Sequence, residues 1–198
     1  MERPGTLIRG IYVTGMPVIM GGVGNMLFTK TPLYQKHRAP MDGGKLWKDG
    51  KRIFGDNKTW IGFGSMVGIT AASQMVWGGV CEKKGWNALH DLYRVRGNSA
   101  GLNLKYGILS GLAYAVCELP NSFVKRRVDI RPGKTEQGSL GKLFFVVDQI
   151  DSLLGVFLVL KAMSGIGWRR YAQYILVGAG THVGVNLCLY KLHIRKNL

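Results

Sequence analysis

Acidic residues are scarce in this sequence: 11 Asp and Glu stand against 27 Lys and Arg, a formal charge of +16 over 198 residues. A soluble chain with that balance would be read as a nucleic-acid binder. Here the basic residues fill the connections between apolar runs, so the expected partner is a lipid bilayer and not nucleic acid. Cysteine is scarcer still. Cys81, Cys117 and Cys188 make no disulfide framework, and two of them lie inside apolar runs. Neither they nor His37, His90, His182 and His193 show the spacing of metal ligands. No GxxxxGK[ST] or GxGxxG string is present, which excludes a P-loop and a dinucleotide-binding fold. Internal repeats, heptads and low-complexity tracts are also missing. The first apolar run has no Ala-x-Ala cleavage site, so it reads as a span and not as a signal peptide.

What is abundant is apolar residue and glycine. Hydrophobic residues make up 46% of the chain and there are 29 glycines, yet the mean hydropathy is near zero because apolar runs alternate with basic connections. That division predicts an all-α integral membrane protein with about five transmembrane helices, at 6–28, 60–80, 101–119, 143–163 and 171–192. Each run is close to the ~20 residues that cross ~30 Å of hydrocarbon, and Lys105 interrupts the third. Gly21, Gly22, Gly24, Gly62, Gly64, Gly68, Gly178, Gly180 and Gly184 suit close helix packing in lipid. Taking the spans in alternation, 17 of the 27 Lys and Arg fall on one side, which sets that side in the cytoplasm and the N-terminus outside. Two long polar loops, 29–59 and 120–142, lie on the cytoplasmic side, with turn chemistry at Asp42-Gly43-Gly44, Asp49-Gly50 and Arg131-Pro132-Gly133. The connection 81–100 carries no functional signal, and 86–95 reads as a short amphipathic helix at the interface. The whole chain, 1–198, reads as a single multi-pass domain of the cell membrane.

Three constellations carry chemistry. The first is Asp148 and Asp151, three residues apart inside the apolar run 143–160. On a helix they share a face, where two like charges repel. A divalent cation neutralises such a pair, and hard oxygen ligands suit magnesium. The alternative is a helix whose first turn begins at Asp148, with both acids solvated and favoured by the helix dipole. The second is Pro40-Met41-Asp42-Gly43-Gly44-Lys45 followed by Lys51-Arg52-Ile53-Phe54-Gly55-Asp56-Asn57-Lys58-Thr59. Its glycines allow a turn whose amides cradle phosphate oxygens, Lys51, Arg52 and Lys58 supply positive charge, and Asp56 can hold a metal or a hydroxyl. Binding of anionic lipid headgroups is the alternative for this loop. The third is Glu118-Leu119-Pro120-Asn121-Ser122-Phe123-Val124-Lys125-Arg126-Arg127, in which Pro120 is expected to end the helix and Asn121 or Ser122 to cap the next element. A basic triplet beside a span is ordinarily a topology anchor. The polar cluster before it is left unexplained by that reading. Phosphoryl or nucleotidyl transfer to a lipid uses this inventory, because it needs charge neutralisation and alignment more than a nucleophilic side chain.

These strings, together with Asp148-Gln149-Ile150-Asp151-Ser152, closely resemble the CDP-archaeol synthase family, the archaeal-type relatives of CDP-diglyceride synthase. The resemblance runs in order from Pro40 to Ser152. It implies a multi-pass membrane enzyme that uses CTP and Mg²⁺ to convert a lipid phosphate into a CDP-activated lipid with release of pyrophosphate. It further implies that Asp148 and Asp151 hold magnesium with Glu118 as an added ligand. Lys125, Arg126 and Arg127 would bind triphosphate or lipid-phosphate oxygens. Asp42, Gly43, Gly44, Asp56, Lys58, Asn121 and Ser122 would complete the substrate pocket, with the lipid chains against glycine-lined faces between spans. The longer bacterial synthases carry an acidic, glycine–histidine stretch before the acid pair. Here only Asp129, Gly133, Glu136, Gly138 and Gly141 occupy that interval, so roles tied to it do not carry over. The archaeal-type motif set suggests an ether-linked glycerol phosphate, with phosphatidic acid open as the substrate and homo-oligomerisation open as well. The rival functions are a CTP-dependent lipid kinase, a small membrane transporter and a structural protein whose basic loops bind lipid.

Overall fold

The computed structural model describes residues 4–132 and 138–193. Arg3, Gly133, Lys134, Glu136, Arg195 and Lys196, which entered the sequence reading, lie outside them. Among the described residues the architecture is helical, with isolated bridges at Pro40–Thr59 and Leu46–Arg52 and no strands. The order is α1 (Pro4–Phe28), α2 (Pro32–His37), α3 (Trp60–Lys84), a 3-10 turn (Asn87–Leu89), α4 (Tyr93–Arg96), α5 (Ala100–Arg127), α6 (Gly138–Ser164) and α7 (Trp168–Lys191). Two of these helices, over Gly5–Phe28 and Gly138–Ser164, are long and apolar enough to cross a membrane.

Local chemistry sets several of the boundaries. Thr59 caps α3 by accepting from the Gly62 amide at 3.1 Å, and Ser99 caps α5 from the Leu102 amide at 3.3 Å. Gly85, in the left-handed region at φ 67°, closes α3. The long helices pack in chain order, α1 on α3, α3 on α5, α5 on α6 and α6 on α7. Small residues make this possible. A Cβ on Gly107 or Gly111 of α5 would stand 2.7 Å from the Cα of Ala71 or Val67 of α3, so these backbones are in direct contact.

Two expectations are corrected and one alternative is excluded. Pro120 does not end the third run: α5 continues through it to Arg127. Proline in a helix forfeits a backbone hydrogen bond and costs about 3 kcal/mol. The turn beyond Pro120 is held by side-chain bonds from Asn121 and Lys125 to α6, which offset that cost. Asn121 and Ser122 are therefore helix-interior residues and not caps, and the second predicted polar loop is mostly helix. Asp148 does not open a helix, because α6 begins ten residues earlier at Gly138 and both acids are mid-helix. The segment 86–95 is not an amphipathic surface helix. It folds inward, burying His90, Asp91, Leu92 and Tyr93. Asp91 accepts from Arg170 Nε at 2.8 Å and Tyr174 Oη at 2.7 Å, and its amide donates to Thr14 Oγ1 at 3.0 Å. The His90 ring stacks on Tyr93 at 3.7 Å, and burial lowers its pKa to about 3, so it is neutral.

Candidate active site

Continuation of α5 past Pro120 places Glu118, Asn121, Ser122 and Lys125 on one helical face, at spacings of three and four, opposite Asp148 and Asp151 of α6. Asn121 Nδ2 donates to Asp148 Oδ1 at 2.6 Å and to Asp151 Oδ2 at 2.7 Å, so one amide nitrogen bridges both carboxylates. Lys125 Nζ reaches both oxygens of Asp148 at 2.5 Å. The Asn121 Oδ1 is buried and has no hydrogen-bond partner among the described residues. The two carboxylates thus face one point, now occupied by the Asn121 amide nitrogen, and carboxylate oxygens are hard donors of the kind a divalent cation takes. Glu118, expected as a further ligand, is instead ion-paired with Lys58. Among the described residues no group of three or more His, Cys, Asp and Glu gathers at one point.

The 29–59 loop is built around Asp42. Its carboxylate accepts from Arg52 Nη2 at 2.6 Å and Arg52 Nε at 3.2 Å, and from the amides of Phe54, Gly55 and Gly44 at 2.9, 2.9 and 3.1 Å. Burial alone would raise the Asp42 pKa, but the Arg52 guanidinium and these amides outweigh it and hold it well below the usual carboxylate range. Gly43 and Gly44, at φ 55° and 81°, make the turn that wraps the carboxylate. Arg127 bolts the loop to α5: its Nη2 donates to the Arg52 carbonyl at 2.5 Å, its Nε lies 2.8 Å from Asp49, and its guanidinium rests on Phe123 at 4.5 Å.

A cavity of about 950 Å³ opens between the loop and the long helices. Lys58, Asp56, Glu118, Asn121, Ser122, Lys125, Arg126, Asp148 and Asp151 all line it. Asp42, Gly43, Gly44 and Arg127 do not. They stand in the loop's framework instead, where Arg52 and three amides hold the Asp42 carboxylate and Arg127 reaches Asp49 and the Arg52 carbonyl. Asp56 sits at the mouth, largely exposed and paired with Arg52 Nη1 at 2.8 Å. The decisive side chain is Arg126. It is 7% exposed, and its Nε and Nη1 are buried with no partner among the described residues. A buried guanidinium without a counter-charge is costly, and an anionic ligand relieves that cost.

Residues 31–198 match the CarS-like, CDP-archaeol synthase family. The chain belongs to it. The CDP-archaeol synthase of Pyrococcus furiosus is 28% identical over 186 residues, covering 94% of this chain and 90% of that protein. That of Archaeoglobus fulgidus is 30% identical over 165 residues, covering 79% and 82%. The fold is shared, at a TM-score of 0.59 and 21% identity over 89% of this chain and 92% of the other, with a solved structure described as an intramembrane enzyme for archaeal membrane lipids biosynthesis. The protein is accordingly a membrane enzyme, a nucleotidyltransferase of lipid biosynthesis.

Within this family framework, several cavity residues went unread as site residues. Lys30, Arg38 and Arg131 counted only as topology charges, yet they line the cavity. Tyr34, whose hydroxyl lies 3.0 Å from Thr59 Oγ1, and Asn57 join them. So do residues of α1 and α7, including His182 and Asn186. The available signal was modest: Asn186 and His182 are polar residues in an apolar run, spaced four apart on one helical face.

Proposed function

We propose that this protein transfers the cytidylyl group of CTP to a lipid phosphate, giving a CDP-lipid and pyrophosphate. The observation that carries this reading is the buried, unpartnered Arg126 in the same cavity as the bridged Asp148–Asp151 pair, with an apolar wall beyond. A phosphate oxygen of the lipid forms a bond to the α-phosphorus of CTP as the bond from that phosphorus to the bridging oxygen of pyrophosphate breaks. No general base is needed, because a phosphate monoester with a second pKa of about 6 is already ionised near neutral pH. Asp148 and Asp151 would hold magnesium, which when bound supplies positive charge to the triphosphate. Arg126 binds phosphate oxygens by charge-assisted hydrogen bonds. Lys125 and Lys58, now tied to Asp148 and Glu118, exchange those acids for phosphate oxygens. Ser122 and Asn57 complete the nucleotide's surroundings.

The test is a purified-protein assay with labelled CTP, magnesium and a panel of ether- and ester-linked glycerol phosphates, with products identified by mass. A CDP-lipid with equimolar pyrophosphate is expected. Release of CDP with a newly phosphorylated lipid would replace this reading by a kinase, and ion flux without CTP use would replace it by a transporter.

CTP is a cytoplasmic substrate, so the 29–59 loop and the Asp148 end of α6 belong on that side. The long helices α1, α3, α5, α6 and α7 then make five spans, with the N-terminus outside, in keeping with the basic majority of that side. In a background lacking Cys81, Cys117 and Cys188, a Lys48→Cys variant is expected to resist an impermeant thiol reagent in intact cells, and Lys84→Cys to be labelled. The reverse pattern would overturn the orientation.

A further inference from the structure

The hairpin at residues 45–53 is tightly built and turns apolar side chains outward. The Trp47 amide donates to the Lys51 carbonyl at 2.7 Å, the Gly50 amide to the Trp47 carbonyl at 3.0 Å and the Ile53 amide to the Lys45 carbonyl at 3.3 Å. Gly50, at φ 75°, makes the turn, and the Asp49 carboxylate accepts from the Lys51 amide at 3.1 Å. Leu46 is nevertheless 60% exposed and Trp47 46% exposed. The acids nearby are spent within the protein, Asp49 on Arg127 and Asp42 on Arg52. Lys51 is paired with Asp129. Lys45 and Lys48 remain, both exposed and without an acidic partner among the described residues. The outer face of the hairpin is thus apolar and cationic together.

Its depth is set by α5 and α6. α6 is one of the two helices long and apolar enough to cross a membrane, and its apolar run begins after Lys142 at Leu143, itself exposed. Lys125 Nζ lies over the Phe144 ring at 5.6 Å, so the last turns of α5 stand level with the start of that run. The Trp47 ring packs edge-on against Phe123 at 5.4 Å, and Phe123 precedes Lys125 by two residues. Trp47 and Leu46 therefore lie where hydrocarbon gives way to headgroups, the zone that favours tryptophan. Lysines beside apolar side chains at that depth attract anionic headgroups. We propose that the hairpin is an interfacial anchor, in which Leu46 and Trp47 enter the membrane surface and Lys45 and Lys48 take the phosphates of anionic lipid headgroups. This anchor requires only that α6 cross the bilayer, and it is independent of the reaction at the acid pair.

In the background lacking Cys81, Cys117 and Cys188, Leu46→Cys is labelled with an environment-sensitive fluorophore. The protein is placed in nanodiscs of phosphatidylcholine, with or without phosphatidylglycerol. A nitroxide near the lipid headgroup is expected to quench the fluorophore, whereas aqueous iodide should not. Lipid quenching should be about twofold stronger in the discs that contain phosphatidylglycerol. That gain should vanish when Lys45→Gln and Lys48→Gln are combined and persist when Lys45→Arg and Lys48→Arg are combined. Free glycerol phosphate added to phosphatidylcholine discs should not reproduce it, because the occupant is a headgroup at the surface and not a soluble anion. Quenching by iodide and not by lipid would place the hairpin in water and overturn the anchor. Equal lipid quenching in both kinds of disc, or a gain that survives the paired glutamines, would overturn the headgroup contact. Because the label replaces Leu46, the unlabelled protein gives an independent reading. The emission lost in Trp47→Phe should be the part quenched by lipid brominated high on its acyl chains, and its insensitivity to that lipid would likewise overturn the anchor.

Discussion

Asp148→Asn and Asp151→Asn are each expected to reduce kcat by about a hundredfold or more while the protein still inserts, purifies and melts near the wild-type temperature. Removing one group that neutralises developing charge typically costs 10²–10³ in rate. Asparagine preserves the shape of each side chain and retains one carbonyl oxygen, which can still accept from Asn121 and, at position 148, from Lys125. On the proposed reading, the lost negative charge would bear on a bound metal and its triphosphate, not on helix packing. Raising magnesium should recover part of the loss, because affinity for the ion falls along with the charge of its ligands. Steady-state kinetics across a magnesium series, with a melting curve of each variant in detergent, provides the check. Near-wild-type turnover of either variant at saturating magnesium would remove the acid pair from the site.

Arg126→Ala is expected to separate binding from stability. A hydrogen bond to a charged partner contributes roughly 1.5–3 kcal/mol, so loss of Arg126 should weaken phosphate binding about tenfold to a hundredfold, read as a raised KM for CTP or for the lipid phosphate. In the unliganded protein the same change removes a buried guanidinium with two nitrogens unpartnered among the described residues. Eliminating an unpaired buried charge is neutral or stabilising, so the melting temperature should hold or rise. Arg127→Ala should behave in the opposite way. It breaks the contacts to Asp49, Arg52 and Phe123 that fasten the loop to α5, so it should lower the melting temperature and affect kinetics only through the loop. A stability loss in Arg126→Ala with unchanged KM values would show that Arg126 is framework and not a phosphate ligand.

The contrast between these adjacent arginines marks where sequence reading stops. Both belong to one basic triplet, and nothing local distinguishes them. One residue of helix is about a 100° rotation, which turns Arg126 into the cavity and Arg127 onto the loop. Asp42 is a similar case. Its Asp-Gly-Gly string suits a phosphate cradle, but Arg52, ten residues away, comes back to occupy the carboxylate, together with three amides. Pro120 misled for a related reason. Its cost is local and predictable, whereas the bonds from Asn121 and Lys125 that offset it reach partners 23 to 30 residues along the chain.

By itself the sequence determined the long helices and the pairing of the acids. Apolar runs of this length satisfy their backbone hydrogen bonds internally, a requirement met within each segment, and the shared face of residues three apart comes from helical geometry alone. The tertiary structure decided which polar groups are spent on the framework and which remain to meet a substrate. It also decided that polar residues of the last helix, His182 and Asn186, join the cavity lining. The physical reason is that hydrogen-bond satisfaction and helix packing are settled by partners far away in the chain. A glycine or valine on a helical stripe has the same local preference whether its neighbour is another helix or an open space.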